Sequence, residues 1–250
     1  MALWTPFGPG GLSNIAARSA AAGGGPDTTT GLVSYWPFND NSGLTVDDNQ
    51  NVQDITITHG GSGAWGTGYY QFDGAGDYGL AADNAAYNFG TACTVFAWLK
   101  GPPQSNLCAL SQFDFGNSQR SWFIGYSDSA VDEGRRMRVL TVDTNSQSTR
   151  KDYVSSLQIG TDAWVSAAFT WSSGTLELYV DGVKDTSVDT SAQNDSFTTL
   201  HNSTAAISFS GALNSGTIAI PAAVQMQRVR LYNVAKTAAD IAAIHALGHA

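Results

Sequence analysis

Glutamate is nearly missing from this 250-residue chain: Glu133 and Glu177 are the only two, against nineteen aspartates. Basic residues are also scarce, with 12 Lys and Arg facing 21 Asp and Glu for a net charge of −9. A thinly charged, acidic surface lacks the basic patches that neutralise phosphate, which argues against a nucleic-acid partner. It argues equally against docking on an anionic membrane. No apolar run approaches the roughly 20 residues of a membrane span. Nor do the opening residues show the basic start and apolar core of a secretory leader. Cysteine occurs only at Cys93 and Cys108, too few for a disulfide framework. Strong helix formers other than alanine are rare.

What is present leans to β-structure, with 27 glycines and 27 aromatic residues (11 Phe, 7 Trp and 9 Tyr). The stretch from Trp164 to Gly182 organises the rest. Two runs rich in β-branched and aromatic residues flank Ser172-Ser173-Gly174, the signal of a hairpin. Leu176, Leu178 and Val180 alternate with Glu177, Tyr179 and Asp181, so one face is buried and the other is wet or covered by another layer. A lone hairpin is marginal and needs partner strands. Candidates stand at Leu32–Phe38, Ile55–Thr58, Tyr69–Phe72 and Thr94–Leu99, and after them strands recur at roughly 8–15-residue spacing from Leu107–Phe113, Ser121–Tyr126 and Met137–Val142 to Val224–Tyr232. Thr94–Leu99 is almost continuously apolar and reads as a central strand buried on both faces. Pairing of that strand with Asn106–Phe113 about Pro102-Pro103 would set Cys108 opposite Trp98, so the two cysteines read as buried free thiols. The helical text is Thr237 to Leu247, with Thr237 as N-cap and Asp240 in the capping-box position. No strict repeat is visible, so a single sandwich domain is expected over residues 31–250.

Residues 1–30 differ in composition, being rich in Gly, Ala and Pro. Leu3, Trp4, Phe7, Leu12 and Ile15 punctuate them with apolar anchors, which a solvated tail does not need. They read as an extended arm that packs on partner subunits.

Taken in order, Tyr35-Trp36-Pro37-Phe38-Asn39, Phe72-Asp73-Gly74 with Asp77-Tyr78, Thr94 to Trp98, Trp164 to Gly182, and Val229 to Asn233 leading into the final helix resemble a known family. This is the laminin-G-like, concanavalin A-like jelly roll of the bacterial and phage branch, and the resemblance runs from Gly31 to Leu247. It implies an all-β, two-sheet jelly-roll sandwich, often with structural Ca2+ near its loops and a sugar- or protein-binding role. An arm ahead of such a domain is similar to phage virion proteins: decorations, fibres or attachment components. The expectation is a non-enzymatic structural and binding protein of the virion. Its partners would be other virion proteins and copies of itself through the arm, with cell-surface glycans beyond. A free lectin and a polysaccharide-active enzyme are the alternatives, since such folds host many functions.

Each chemistry has its candidate residues. Glycoside hydrolysis needs two carboxylates about 5–5.5 Å apart for retention. Glu133 and Glu177 lie far apart in the chain, and neither has an acidic residue two positions away on a strand. No Gly-x-Ser-x-Gly or phosphate loop is found, and no zinc spacing apart from His245 and His249, four residues apart near the C-terminus. Calcium wants six to eight oxygens at about 2.3–2.6 Å; of the loop clusters Asn39-Asp40, Asp47-Asp48 and Asp73-Gly74 with Asp77, Asp73 and Asp77 are the best pair. Trp65, Tyr69, Trp122 and Tyr126 lie in or next to Gly/Ser/Asn-rich segments, where aromatic rings could stack on sugar. Trp98, Trp164 and Trp171 are expected in the core.

Overall fold

The computed structural model describes residues 25–127, 134–144 and 148–249. The arm anchors Leu3, Trp4, Phe7, Leu12 and Ile15, and Glu133, lie outside these residues. The described chain folds as two sheets packed face to face. The smaller has eight strands. In spatial order they are β14 (Val183–Lys184), β13 (Thr175–Val180), β12 (Val165–Ser172), β7 (Ala92–Lys100), β19 (Ala223–Tyr232), β5 (Tyr69–Asp73) and β4 (Ala64–Gly66), with β1 (Leu32–Trp36) also on β19. The larger runs β15 (Asp189–Asn194), β11 (Arg150–Gln158), β10 (Arg136–Val142), β9 (Gln119–Tyr126), β8 (Cys108–Asp114), β16 (Ile207–Phe209), β6 (Tyr78–Ala81), β3 (Ile55–Thr58) and β2 (Thr45–Val46). A short hairpin of β17 (Ala212–Asn214) and β18 (Thr217–Ala219) leans on β8. All strand ladders are antiparallel apart from the single β17–β8 contact.

The expected hairpin forms. Thr175 pairs with Ser172 across Ser173 (φ 44°) and Gly174 (φ 98°), the left-handed pair that a two-residue reversal between twisted strands requires. Asp181 (φ 51°) and Gly182 (φ 74°) repeat the device before β14. Leu176, Leu178 and Val180 enter the main core, while Tyr179 lies under the C-terminal helix α1 (Ala238–Ala246) with Phe96, Ile241 and Ile244. Its capping box is complete: Thr237 Oγ accepts from Asp240 N, and Asp240 accepts from Thr237 N.

β7 is buried from Cys93 to Leu99. Alternate residues serve two layers: Val95, Ala97 and Leu99 face the other sheet, and Phe96 and Trp98 face α1. Both thiols are free and buried, and the apolar surroundings push their pKa values up. Their expected geometry is corrected, because β7 and β8 belong to different sheets and Cys108 does not face Trp98. The connection after Lys100 carries the chain across the sandwich instead of reversing within a sheet.

β19 holds a feature that alternation alone hides. Its register against β7 shifts between Gln227 and Arg230, and Arg228 adopts φ 49°. This bulge restores Val229 and Leu231 to the core. It also aims Arg228 at the end of α1, where Nη1 donates to the carbonyls of Leu247 and Gly248. Residues 27–30, placed with the arm on composition, are tied to the sandwich. Asp27 N donates to Asp240 Oδ1 (2.6 Å), Lys236 Nζ donates to Asp27 O (3.0 Å), and Tyr232 OH donates to Thr28 O.

Gly174 has φ 98°, and a Cβ there would sit 2.5 Å from Phe197 O. Gly174→Ala is expected to lower stability by about 1–3 kcal/mol. Urea denaturation checks it, and an unchanged midpoint would contradict this account of the turn.

Candidate functional site

The larger sheet and α1 cover most of β7 and β19, but one end of the smaller sheet keeps an open outer face. On β5, Tyr69 and Gln71 point outward while Tyr70 and Phe72 point into the core. Gln225 of β19 stands between Gln71 of β5 and Lys100 of β7, so three adjacent strands place polar side chains in one row. Gln225 Nε2 donates to Gln71 Oε1 (3.3 Å). Together with Ser62, Asp73 and Asp162 they line a cleft of about 260 Å3. Its wall is fixed by Gln104, whose side-chain amide grips Ala223 at both polar atoms: Nε2 donates to Ala223 O and Oε1 accepts from Ala223 N.

Aromatic rings stand beside the cleft. Tyr69 meets Trp164 edge-on at 5.6 Å, and both are partly exposed. Behind them Trp98 stacks on His245 at 4.9 Å, and His249 lies against Trp98 and Trp164. His245 is positioned by Ser166, with 2.9 Å between Oγ and Nδ1. Amide, ammonium and carboxylate groups beside two aromatic rings suit a polyhydroxylated ligand: the rings take its C–H faces and the polar row takes its hydroxyl groups. Trp164, expected in the core, is thus corrected to the outer face, whereas Trp171 is in the core.

The aromatic candidates therefore separate. Tyr69 lines this face. Trp65 is on the opposite side of the same edge, its ring 5.2 Å from Tyr70 and its Nε1 donating to Gly43 O, so it secures a loop. Trp122 and Tyr126 are corrected: both are fully buried and cannot touch a sugar. On β9 the outward residues are Ser121 and Phe123, and a strand's period of two sends Trp122, Ile124 and Tyr126 inward.

The acidic candidates hold backbone. Asp73 Oδ1 accepts from the N–H groups of Ala75, Gly76 and Asp77, and Oδ2 accepts from Ser62 N. These bonds hold its pKa well below the usual carboxylate range. Asp77 is fully buried; Oδ1 accepts from Gly60 N and Gly61 N, Oδ2 from Gly63 N, and His59 Nδ1 is 3.1 Å away. Burial, with Asp77 and Asp73 nearby, raises the Tyr70 phenol to about 12. Asp40 lies elsewhere. Its Oδ2 is buried without a hydrogen-bond partner, and burial, with repulsion from Asp47 and Asp54, raises its pKa. Asn39 is exposed beside it. Among the described residues, no three His, Cys, Asp or Glu side chains converge as metal ligands. Asp73 and Asp77, their oxygens already filled by amide donors, do not fit a Ca2+ site, and Asp40 does not join them. Glu177 bonds Lys184 Nζ and Tyr179 OH, and Lys184 lowers its pKa.

A profile described as the concanavalin A-like lectin/glucanases superfamily, of laminin-G type, matches residues 73–242. The chain belongs to this superfamily. Among solved structures it is similar to domain 4 of AbnA, a GH43 extracellular arabinanase from Geobacillus stearothermophilus in complex with arabinotriose. The identity is 17% and the TM-score 0.61, over 86% of this chain and 98% of that one. It is similar to the binding domain of Paraclostridial Mosquitocidal Protein 1 at 14% identity and TM-score 0.63, over 86% of this chain and 52% of that one. Trypanosoma rangeli sialidase matches at 15% and 0.62, over 93% of this chain and 35% of the sialidase. At these identities the likeness is one of fold. Comparison with curated proteins gives no match.

Asp77→Ala is expected to lower stability by about 2–4 kcal/mol by orphaning buried amides, whereas EDTA leaves the melting temperature unchanged. A drop of several degrees in EDTA alone would restore the Ca2+ reading. Because the folded pKa of Asp73 is depressed, its contribution is complete above its unfolded pKa of about 3.9 and fades as pH falls below that. Asp73→Asn should flatten the acid limb of a stability–pH curve, and an unaltered limb would refute the assignment.

Proposed function

We propose that the chain is a non-catalytic glycan-binding protein of a phage particle, its sandwich turned outward and its arm seated on neighbouring virion subunits and copies of itself. The observation that carries the glycan reading is the Tyr69–Trp164 ring pair beside the row of Gln71, Gln225 and Lys100. The superfamily includes lectins, and a structure of like fold is that of an arabinanase domain with arabinotriose, which supports the same ligand class. Two features support a binding role over a hydrolytic one. Asp73, at the cleft, has both oxygens occupied by backbone donors. Glu177 is paired with Lys184, where a general acid needs its pKa raised. Ca2+ takes no part in this reading.

The particle assignment rests on composition: an arm with Trp4 and Phe7 ahead of a displayed domain. Within the described residues no helix is long and apolar enough to cross a membrane. A free lectin is the second reading, favoured by the completeness of the polar and aromatic face on one subunit.

A glycan-array hit followed by calorimetry tests the site. Tyr69→Ala and Gln225→Ala are each expected to weaken binding by about tenfold or more, with no reducing sugar released. Unchanged affinity in both variants would dismiss the cleft, and released sugar would make the protein an enzyme. Light scattering tests the arm: the full chain should oligomerise, whereas a chain starting at Gly25, which keeps the Asp27 and Thr28 ties, should stay monomeric. If both are monomers, the free lectin becomes the better account.

A further inference from the structure

One row across the inner face of the larger sheet ends in a lysine and an asparagine. Cross-strand register lines up Gln112, Trp122, Thr141, Lys151 and Asn194 on the successive strands β8, β9, β10, β11 and β15. Directly paired residues share a face, and Trp122 fixes that face as the inward one. Lys151 therefore stands on the core side, and only 7% of it is exposed. Beyond it, β15 is the edge of the sheet and is exposed along most of its length.

A lysine is rarely buried without a carboxylate beside it. Among the described residues, none bonds Lys151 Nζ; its partner is an amide, and Nζ donates to Asn194 Oδ1 (2.7 Å). The rings of Tyr153 and Phe197 flank Nζ at 5.8 and 5.9 Å. That is the outer limit of a cation–π contact, so the rings exclude water more than they hold charge. Phe197 is held in turn by stacking on Trp171 at 4.9 Å. Burial lowers the Lys151 pKa, and the charge of Asp195 opposes this without bonding Nζ. The Asp195 carboxylate is engaged elsewhere, accepting from Arg150 N and Gln193 Nε2.

The same oxygen of Asn194 takes a second donor. Tyr153 OH donates to Asn194 Oδ1 (2.7 Å), and burial raises the pKa of this phenol, which keeps it protonated. Two donors on one amide oxygen draw electron density from Cγ, the carbon bonded to it. A desolvated amine beside a carbonyl carbon, with a donor on the carbonyl oxygen, is the arrangement that acyl transfer needs. Asn194 is exposed, which gives its amide nitrogen a way out to solvent.

We propose that Lys151 and Asn194 join in an intramolecular isopeptide bond. Lys151 gives one ammonium proton to solvent, and the neutral Nζ adds to Asn194 Cγ. Tyr153 OH stabilises the charge that develops on Oδ1. Nζ passes a second proton to Nδ2, the Cγ–Nδ2 bond breaks, and ammonia leaves. A secondary amide remains, with no oxidation or reduction. The bond fastens β15, whose sequence Asp189-Thr190-Ser191-Ala192-Gln193-Asn194 has little hydrocarbon to bury, to its neighbour β11.

Intact mass spectrometry of the purified full chain, followed by tryptic mapping, tests it. After allowance for removal of Met1, the mass is expected to be one ammonia below that of the sequence. Trypsin should not cut after Lys151, and a branched peptide should join Lys151 to Asn194. Lys151→Arg keeps a donor for Asn194 but forms no such amide, and should return the full sequence mass. Tyr153→Phe should leave most chains unlinked. A wild-type chain at the full sequence mass overturns the proposal. So does ammonia loss without the branched peptide, or ammonia loss that persists in Lys151→Arg, since either marks a succinimide at an asparagine. Linkage as complete in Tyr153→Phe as in the wild type overturns the role given to the hydroxyl.

Discussion

Everything in this molecule depends on β7 being buried on both faces. A strand with seven consecutive buried residues needs a cover on each side. The larger sheet supplies one through Trp122, Ile124 and Val139, and α1 supplies the other through Ile241 and Ile244. The helix does not reach the end where Lys100, Gln225 and Gln71 stand in a row, and that uncovered end is the cleft. The candidate site is therefore the remainder of a packing problem. The fold fills the centre of the sheet with hydrocarbon and leaves its margin to polar side chains.

The excess of aspartate over glutamate has a structural use. Asp48, 2% exposed, accepts from the N–H groups of Tyr35, Gln50, Val52 and Gln53 and from Ser34 Oγ. Asp73, Asp77 and Asp114 do the same for other loops. A short side chain reaches amides two to five residues away, whereas a glutamate overshoots them. The acidic composition thus records how many irregular loops the sandwich must hold still, more than it records any ligand.

Much of this was legible in the sequence. The hairpin about Ser173-Gly174, the capping box of Thr237 and Asp240, and the double burial of β7 follow from local chemistry that tertiary structure had no reason to override. What was not legible depends on partners remote in the chain. The phase of β9 was ambiguous because Trp122 and Phe123 are both large and apolar, so either could face inward; only the sheet's two covers decide. The Arg228 bulge carries no turn residue, and its purpose appears only when the end of α1 lies against it. Strand β15, Asp189–Asn194, is too polar to show a hydrophobic period, being an edge exposed along most of its length. The cleft was half visible: Tyr69 had been singled out, but Gln71, Gln225 and Lys100 come from separate strands and no spacing in the sequence joins them.

The tie between Asp27 and the far end of the chain also has a mechanical meaning. Asp27 bonds Asp240 at the start of α1 and Lys236 just before it, and the adjacent Thr28 receives the Tyr232 hydroxyl from β19. Tension arriving along residues 1–26 would not meet β1 alone. It would be shared at once by the helix, the loop before it and the longest strand of the smaller sheet, three segments more than two hundred residues away along the backbone. Such an anchorage lets a domain be pulled by its leading end without unravelling from that end.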